Sequence, residues 1–277
     1  MASRAPDTAG VPWVPGTATA ADGTPLAFWT AGSGSPVLLI AGQAVDHHSW
    51  DLAAPRLVAD HRLVVFDHRG TGASGSGAAP RFSTRDLADD ARAVLDAAGV
   101  DRAHVVGHSM GGRIAQWLAV DHPGRIDRLV LVATTAGDRH GPQRDPAADA
   151  ALRSGDFETL ARLFFPDAWD PEAFARLFSV GGTAVDRGRH FRASRAHDTL
   201  TDLAAVRART LVLHGADDRL TAPGHARVLA DGLPQAQLVV LPDARHGVVL
   251  DGGAGLDLVV DFLTASDVSA QGGSAPS

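Results

Sequence analysis

Short, almost wholly apolar runs recur along this chain, and each ends near a small or acidic residue. Val37–Ala41 ends at Gly42, Leu63–Phe66 at Asp67, and Val105-Val106 at Gly107. Leu129–Val132 leads to Ala133-Thr134, Leu211–Leu213 to His214-Gly215, and Leu238–Leu241 to Pro242-Asp243. A strand with one solvated face alternates polar and apolar residues, whereas continuous apolar runs of this length suit parallel strands covered on both faces. Between several of the runs lie helical stripes. Thr84–Ala98 aligns Leu87, Ala91, Val94, Leu95 and Ala98, and Gly112–Val120 aligns Ile114, Ala115, Leu118 and Ala119. Ala222–Leu233 and Leu256–Leu263 behave likewise, with apolar residues on one face of each helix. Strand, loop and helix in repetition predict an α/β fold: an open, mostly parallel, doubly wound sheet with helices on both faces.

Two stretches depart from this rhythm. Thr17–Ala31 is broken by Asp22-Gly23, a hairpin turn signal. From about Gly137 to Leu200 no strand pattern occurs, and Pro146–Arg153, Phe157–Phe164, Pro171–Phe178 and Val185–His197 read as short helices. The expected organisation is a core over residues 17–136 and 201–265, an inserted helical lid over 137–200, and loose termini at 1–16 and 266–277.

The 277 residues fit one large domain of this kind, and an apolar content of 45% supplies its core. A net charge of −7 argues against a nucleic-acid partner, which needs a basic footprint. The chain contains no Cys, Lys, Tyr or Asn. Thiol nucleophiles, disulfides and Cys-ligated metals are thereby excluded, as are Schiff bases on lysine. A nucleophile must come from Ser, Thr, Asp, Glu or His. The N-terminal residues lack the apolar stretch of a signal peptide, and no run approaches transmembrane length. A cytoplasmic location without a membrane partner is expected.

Gly107-His108-Ser109-Met110-Gly111 matches G-x-S-x-G and sits after a strand run and before a helix. In that context the serine occupies a strained turn, and small flanking residues let strand and helix approach closely. Ser109 is the candidate nucleophile. Its base should come from a loop at the carboxyl end of the sheet. Of the 13 histidines only His246 follows the last strand run. The orienting acid should come from His214-Gly-Ala-Asp-Asp, where Asp217 and Asp218 compete and Asp218, third after Gly215, is favoured. The order Ser, Asp, His is the one expected for a serine on such a turn. An oxyanion needs aimed N–H donors. Met110 N–H at the helix start and Gln43 N–H past the first parallel strand are the candidates.

These motifs, together with Asp67-His-Arg-Gly-Thr-Gly-Ala-Ser74 and Leu213–Asp218, resemble the α/β-hydrolase superfamily across roughly residues 17–265. The resemblance implies the α/β-hydrolase fold and a serine hydrolase that needs no cofactor or metal. It also implies that Asp67–Ser74, a D-x-R-G-x-G-x-S segment, is a structural loop. Family members typically carry His-Gly ahead of the oxyanion residue, where this chain has Ala41-Gly42. The Phe66–Gly72 and Gly42-Gln43 loops are also similar to those of aclacinomycin-type methylesterases and enol-lactonases.

The leading expectation is cleavage of a carboxylic ester or lactone through an acyl-enzyme, on a small-molecule substrate of apolar or medium size given the aromatic-rich lid. The same triad could instead serve C–C bond hydrolysis, cofactor-free haloperoxidase chemistry or an elimination, since Ser109-Met-Gly-Gly-Arg113 also resembles an elimination enzyme of menaquinone synthesis. A ligand-binding module without catalysis is the third reading. Arg113 is a candidate clamp for a substrate carboxylate, and His47 and His48 are candidate substrate contacts if their loop lines the pocket. Asp46-His47-His48 lacks the spacing of common metal motifs and reads as a solvated loop.

Overall fold

The computed structural model describes residues 11–265 apart from 155, 168, 170–173, 176 and 179–181. Eight strands form one sheet in the order β1-β2-β4-β3-β5-β6-β7-β8. They are β1 (Val14–Thr19), β2 (Pro25–Ala31), β3 (Ser35–Ile40), β4 (His61–Phe66), β5 (Ala103–His108), β6 (Ile126–Val132), β7 (Arg209–Gly215) and β8 (Ala236–Leu241). The pairs β1–β2 and β2–β4 are antiparallel, and every pair from β3 to β8 is parallel. The six apolar runs of the sequence are thus the six parallel strands; β3 to β7 are largely buried, as predicted for strands covered on both faces, whereas the edge strand β8 is only half-buried.

The burial explains the pattern. In β3, Leu38 and Ile40 face one core layer while Val37 and Leu39 face the other. The first layer is completed by α2 (Thr84–Ala97) and α3 (Met110–Asp121), through Leu87, Val94, Ile114 and Leu118. The second is completed by α8 (Ala254–Thr264), through Leu256, Val259 and Leu263. Each fully buried side chain of this type contributes roughly 1.5–3 kcal/mol, so the two layers dominate the stability of the sheet. Further α-helices among the described residues are α1 (Ala54–Leu57), α4 (Pro146–Ser154), α5 (Phe157–Phe164), α6 (Ala184–Arg195) and α7 (Gly224–Gly232).

The hairpin turns where Asp22-Gly23 required it. Gly23 has φ +84°, and Thr24 donates its N–H and hydroxyl to Asp22 Oδ1. The first boundary needs correction: the arm expected to be loose through residue 16 joins the sheet at Val14, which pairs with Thr30. This edge strand is largely exposed, so no apolar run announces it. Residues 1–10 and 266–277 lie outside the described residues.

Between β6 and β7 the chain is helical, as expected. The second predicted helix, Phe157–Phe164, matches α5 to the residue, and Val185–His197 appears as α6, opened by a capping box of Thr183 and Asp186. The predicted helix Pro171–Phe178 falls partly outside the described residues. Among the described residues no helix is long and apolar enough to cross a membrane.

Candidate active site

Ser109 stands between β5 and α3 with φ +55° and ψ −119°, a backbone that a non-glycine residue adopts only when its surroundings enforce it. Those surroundings are visible in the neighbouring glycines. A Cβ on Gly107 would lie 2.4 Å from Gly111 O, one on Gly111 would lie 2.1 Å from Ile40 O, and one on Gly112 would meet Thr134 at 2.6 Å. Strand and helix therefore meet at a distance only glycine permits. The turn is anchored by Ser109 N–H to Val132 O (2.9 Å) and by the Thr134 hydroxyl to Ser109 O (2.7 Å).

His246 brings Nε2 to 3.0 Å from Ser109 Oγ and Nδ1 to 2.7 Å from Asp218 Oδ2. The 3.0 Å contact is the hydrogen-bond reach a general base needs, and the carboxylate fixes the tautomer that leaves Nε2 free to accept the hydroxyl proton. Asp218 is fully enclosed. Burial by itself pushes its carboxyl group up, but attraction to His246 and hydrogen bonds from His214 and His246 outweigh it and hold Asp218 below the usual carboxylate range. Its Oδ1 accepts from Leu220 N–H and Thr221 N–H at 2.8 Å each. The rival Asp217 is exposed, so the geometry selects Asp218.

The base is itself held from behind. His108 donates Nε2–H to His246 O (2.9 Å), and burial pushes His108 down to about 3, so the neighbouring imidazole is neutral. The loop of His246 is gripped from above by α5: His246 N–H reaches Leu163 O and Gly247 N–H reaches Phe164 O. The Phe164 ring stands edge-on to His246 at 4.9 Å.

The second oxyanion candidate lies on the loop after β3. A Cβ on Gly42 would be 3.6 Å from Ser109 Cβ, which places this loop against the serine. Gln43 borders a cavity of about 60 Å³ together with Ser109 and His246. Met110 is the first residue of α3, where N–H groups lack helical partners. Sequence reasoning missed the side chains that pin the loop. His68 donates Nε2–H to Ala41 O (3.0 Å). His190, on α6, accepts Ala44 N–H on Nδ1 (3.3 Å) and donates Nε2–H to Arg69 O (2.8 Å). Burial pushes His68 down to about 4 and lowers His190 as well, so both act as neutral rings. His68 sat inside a motif already noted; His190 is 146 residues from Ala44, and nothing local signals it.

A sequence profile described as alpha/beta hydrolase fold matches residues 35–253. The chain belongs to the α/β-hydrolase family. It is similar to a Variovorax paradoxus protein that bears the name carbamate hydrolase RutD, with 33% identity over 86% of this chain and 94% of that one. Among solved structures it resembles a hydrolase from Pseudomonas aeruginosa PA01, at 30% identity and TM-score 0.76, covering 94% of this chain and all of that one. An enol-lactonase from Burkholderia xenovorans LB400 matches at 25% identity and TM-score 0.76, over 90% of this chain and all of that one. The chain is accordingly an enzyme of the hydrolase class.

Other candidates take different places on this α/β-hydrolase scaffold. Arg113 borders the small cavity, but its guanidinium donates to Ser194 O and, at 2.6 Å, to Asp138. Buried and already paired, it ties α3 to α6 rather than offering itself to a substrate carboxylate, which corrects the expectation. His47 and His48 do not border the cavity beside Ser109. His47 is buried, stacks on Trp29 at 3.8 Å, and bonds Asp67 Oδ1 through Nδ1 at 2.7 Å; His48 bonds Asp51 at 2.9 Å. Together with Asp46 their ligand atoms lie within 4.8 Å of one another. The two imidazoles are layered at 4.3 Å with a 31° tilt, and their Nδ1 atoms are taken up by Asp67 and Asp51. This loop is packed, not solvated. The Asp67–Ser74 segment is structural in detail: Asp67 accepts from His47 and from Ala73 N–H, and a Cβ on Gly72 would collide with its carboxylate at 2.0 Å.

Proposed function

We propose that the protein cleaves a carboxylic ester or lactone by nucleophilic catalysis. The observation that carries this reading is the continuous hydrogen-bonded chain Asp218–His246–Ser109, whose Ser109 and His246 border one cavity. Ser109 Oγ attacks the carbonyl carbon as His246 Nε2 takes its proton. The tetrahedral oxyanion accepts hydrogen bonds from the N–H groups of Gln43 and Met110. Collapse releases the alcohol, which leaves with the proton from His246, and the acyl group stays on Ser109. A water deprotonated by His246 then attacks the acyl-enzyme, and its collapse restores Ser109 and frees the acid. Asp218 stays ionised throughout, holding the imidazole's orientation and offsetting the imidazolium charge. Every step uses this chain's side chains and backbone together with one water, so the proposed reaction calls for no cofactor.

The enol-lactonase similarity supports a lactone or ester carbonyl as the target, and a carbamate, the substrate named for the RutD protein, presents the same kind of electrophilic carbon. The helical segment 137–200 acts as a lid over a small-molecule substrate, since α5 holds the His246 loop and α6 holds the oxyanion loop. The test is turnover of p-nitrophenyl butyrate. Ser109→Ala should lower kcat by at least about 10³-fold; equal rates in the two proteins would remove the proposal.

A further inference from the structure

The small cavity beside Ser109 shares Gln43, Val45, Leu152, Phe164 and Phe178 with a much larger one of about 700 Å³. The reaction centre therefore shares a wall with a chamber lined mostly by the helical segment. One wall is a single stripe of α6: Ala184, Arg187, Gly188, Phe191 and Arg192, the i, i+3, i+4, i+7, i+8 positions of one helix face. Ala184 and Gly188 leave room between the larger side chains. Across from it stand Arg153 of α4 and Phe157 of α5.

The chamber combines two kinds of chemistry. Phe164, Phe174 and Phe178 crowd together, with ring centroids 4.3–5.5 Å apart, and form an apolar throat next to the small cavity. Arg153, Arg187 and Arg192 are all exposed and so stand at the mouth. No Asp or Glu is among the described residues lining the chamber. Arg153 is paired with Asp149 at 2.8 Å, whereas Arg187 donates only to Gly182 O (3.0 Å) among the described residues. Arg192 has no acidic partner among the described residues. A chain whose net charge is −7 thus places three arginines, only one of them paired with a described carboxylate, among the described residues lining this chamber. Such a patch raises the local concentration of anions.

Building on the hydrolase reading above, we infer that the preferred substrates are esters carrying an anionic group at the far end of an apolar segment. The ester carbonyl sits at Ser109, the apolar segment lies against Phe164, Phe174 and Phe178, and the anion rests on Arg187 and Arg192.

Two ester series test this. One holds p-nitrophenyl monoesters of linear dicarboxylic acids, from adipate to sebacate, which place the anion on the acyl side. The other holds butyrate esters of ω-hydroxyalkanoic acids, with the anion on the alcohol side. Each is compared with its methyl-capped neutral twin. In at least one series kcat/KM should favour the anionic member by about tenfold at low ionic strength, through a lower KM, and the ratio should shrink as salt screens the arginines. Arg187→Gln/Arg192→Gln should lower that anionic-to-neutral ratio towards one. The inference is overturned if neither series favours the anion, or if the ratio survives the double substitution. Ser109→Ala separates this from failure of the hydrolase reading: Ser109-dependent turnover of neutral esters without anionic preference overturns the inference alone, and turnover independent of Ser109 overturns both.

Discussion

Gly111 and Gly188 are both helical glycines, and a methyl group added to each would meet very different surroundings. At Gly111, in the turn of α3 beneath Ser109, it would lie 2.1 Å from Ile40 O and 2.5 Å from Ala41 O. At Gly188, in α6, the nearest atom is the tip of Arg192 at 3.4 Å. The first neighbours are backbone in a sheet and cannot yield; the second is the end of a flexible side chain. The sheet edge is a place where close approach fixes the reacting atoms. The helical segment lines a chamber with side chains that can be exchanged one at a time. On the proposed function, chemistry is committed to the first region and selectivity is left to the second, an arrangement that lets one scaffold serve many substrates.

The largest effect that would sharpen this contrast lies in the sheet edge. Asp218→Asn should lower kcat by about 10⁴-fold, because the amide favours the wrong imidazole tautomer. Asp217→Asn, one residue away but exposed, should leave kcat within about twofold. Steady-state kinetics on any turned-over ester measures both, and a comparable loss in the two variants would break the account of the site.

Next in size is the glycine pair. Gly111→Ala should destabilise the fold by about 3 kcal/mol through overpacking against backbone. Gly188→Ala should stabilise it by up to about 1 kcal/mol, since alanine is the better helix former where space allows. Urea midpoints decide the matter, and equal signs for the two substitutions would erase the distinction between the regions.

A smaller effect concerns acid. His68 and His108 are buried as neutral rings, with burial pushing them down to about 4 and about 3. A histidine whose folded value is depressed binds fewer protons folded than unfolded, so stability is full above about pH 6.5 and falls as pH drops below it. Between pH 7 and 5 the loss is on the order of 2 kcal/mol for each ring. Asp218 does not act in this window, because its depressed carboxyl group loses stability only below the ordinary carboxylate range. Denaturant midpoints across this range should fall, and His68→Gln should flatten the slope. A flat profile in the parent protein would contradict the assignment of neutral, buried rings around the site.

The same contrast explains what could be read from sequence. The inner parallel strands were legible because burial on both faces leaves an uninterrupted apolar run, and the serine turn because close strand–helix approach demands glycines at fixed spacing. Asp218 and His246 were legible by order, since each follows a strand whose carboxyl end points to the same edge. The exposed edge strand from Val14 left no such mark. Arg113 was misread because its spacing from Ser109 places it near the cavity, while Asp138 and Ser194, which engage it, lie 25 and 81 residues on. His47 was misread because Trp29 and Asp67 draw its ring into the core. The support of the oxyanion loop by His190 and the arginine stripe of α6 both depend on how the helical segment packs, and no local pattern encodes that.

The central claim is that Ser109 is an activated nucleophile, and covalent capture tests it most directly. Incubation with a fluorophosphonate, followed by digestion and mass spectrometry, should place one adduct on the peptide containing Ser109, and His246→Gln should suppress its formation by orders of magnitude. An unlabelled protein, an adduct on another residue, or labelling that persists undiminished without His246 would contradict the account.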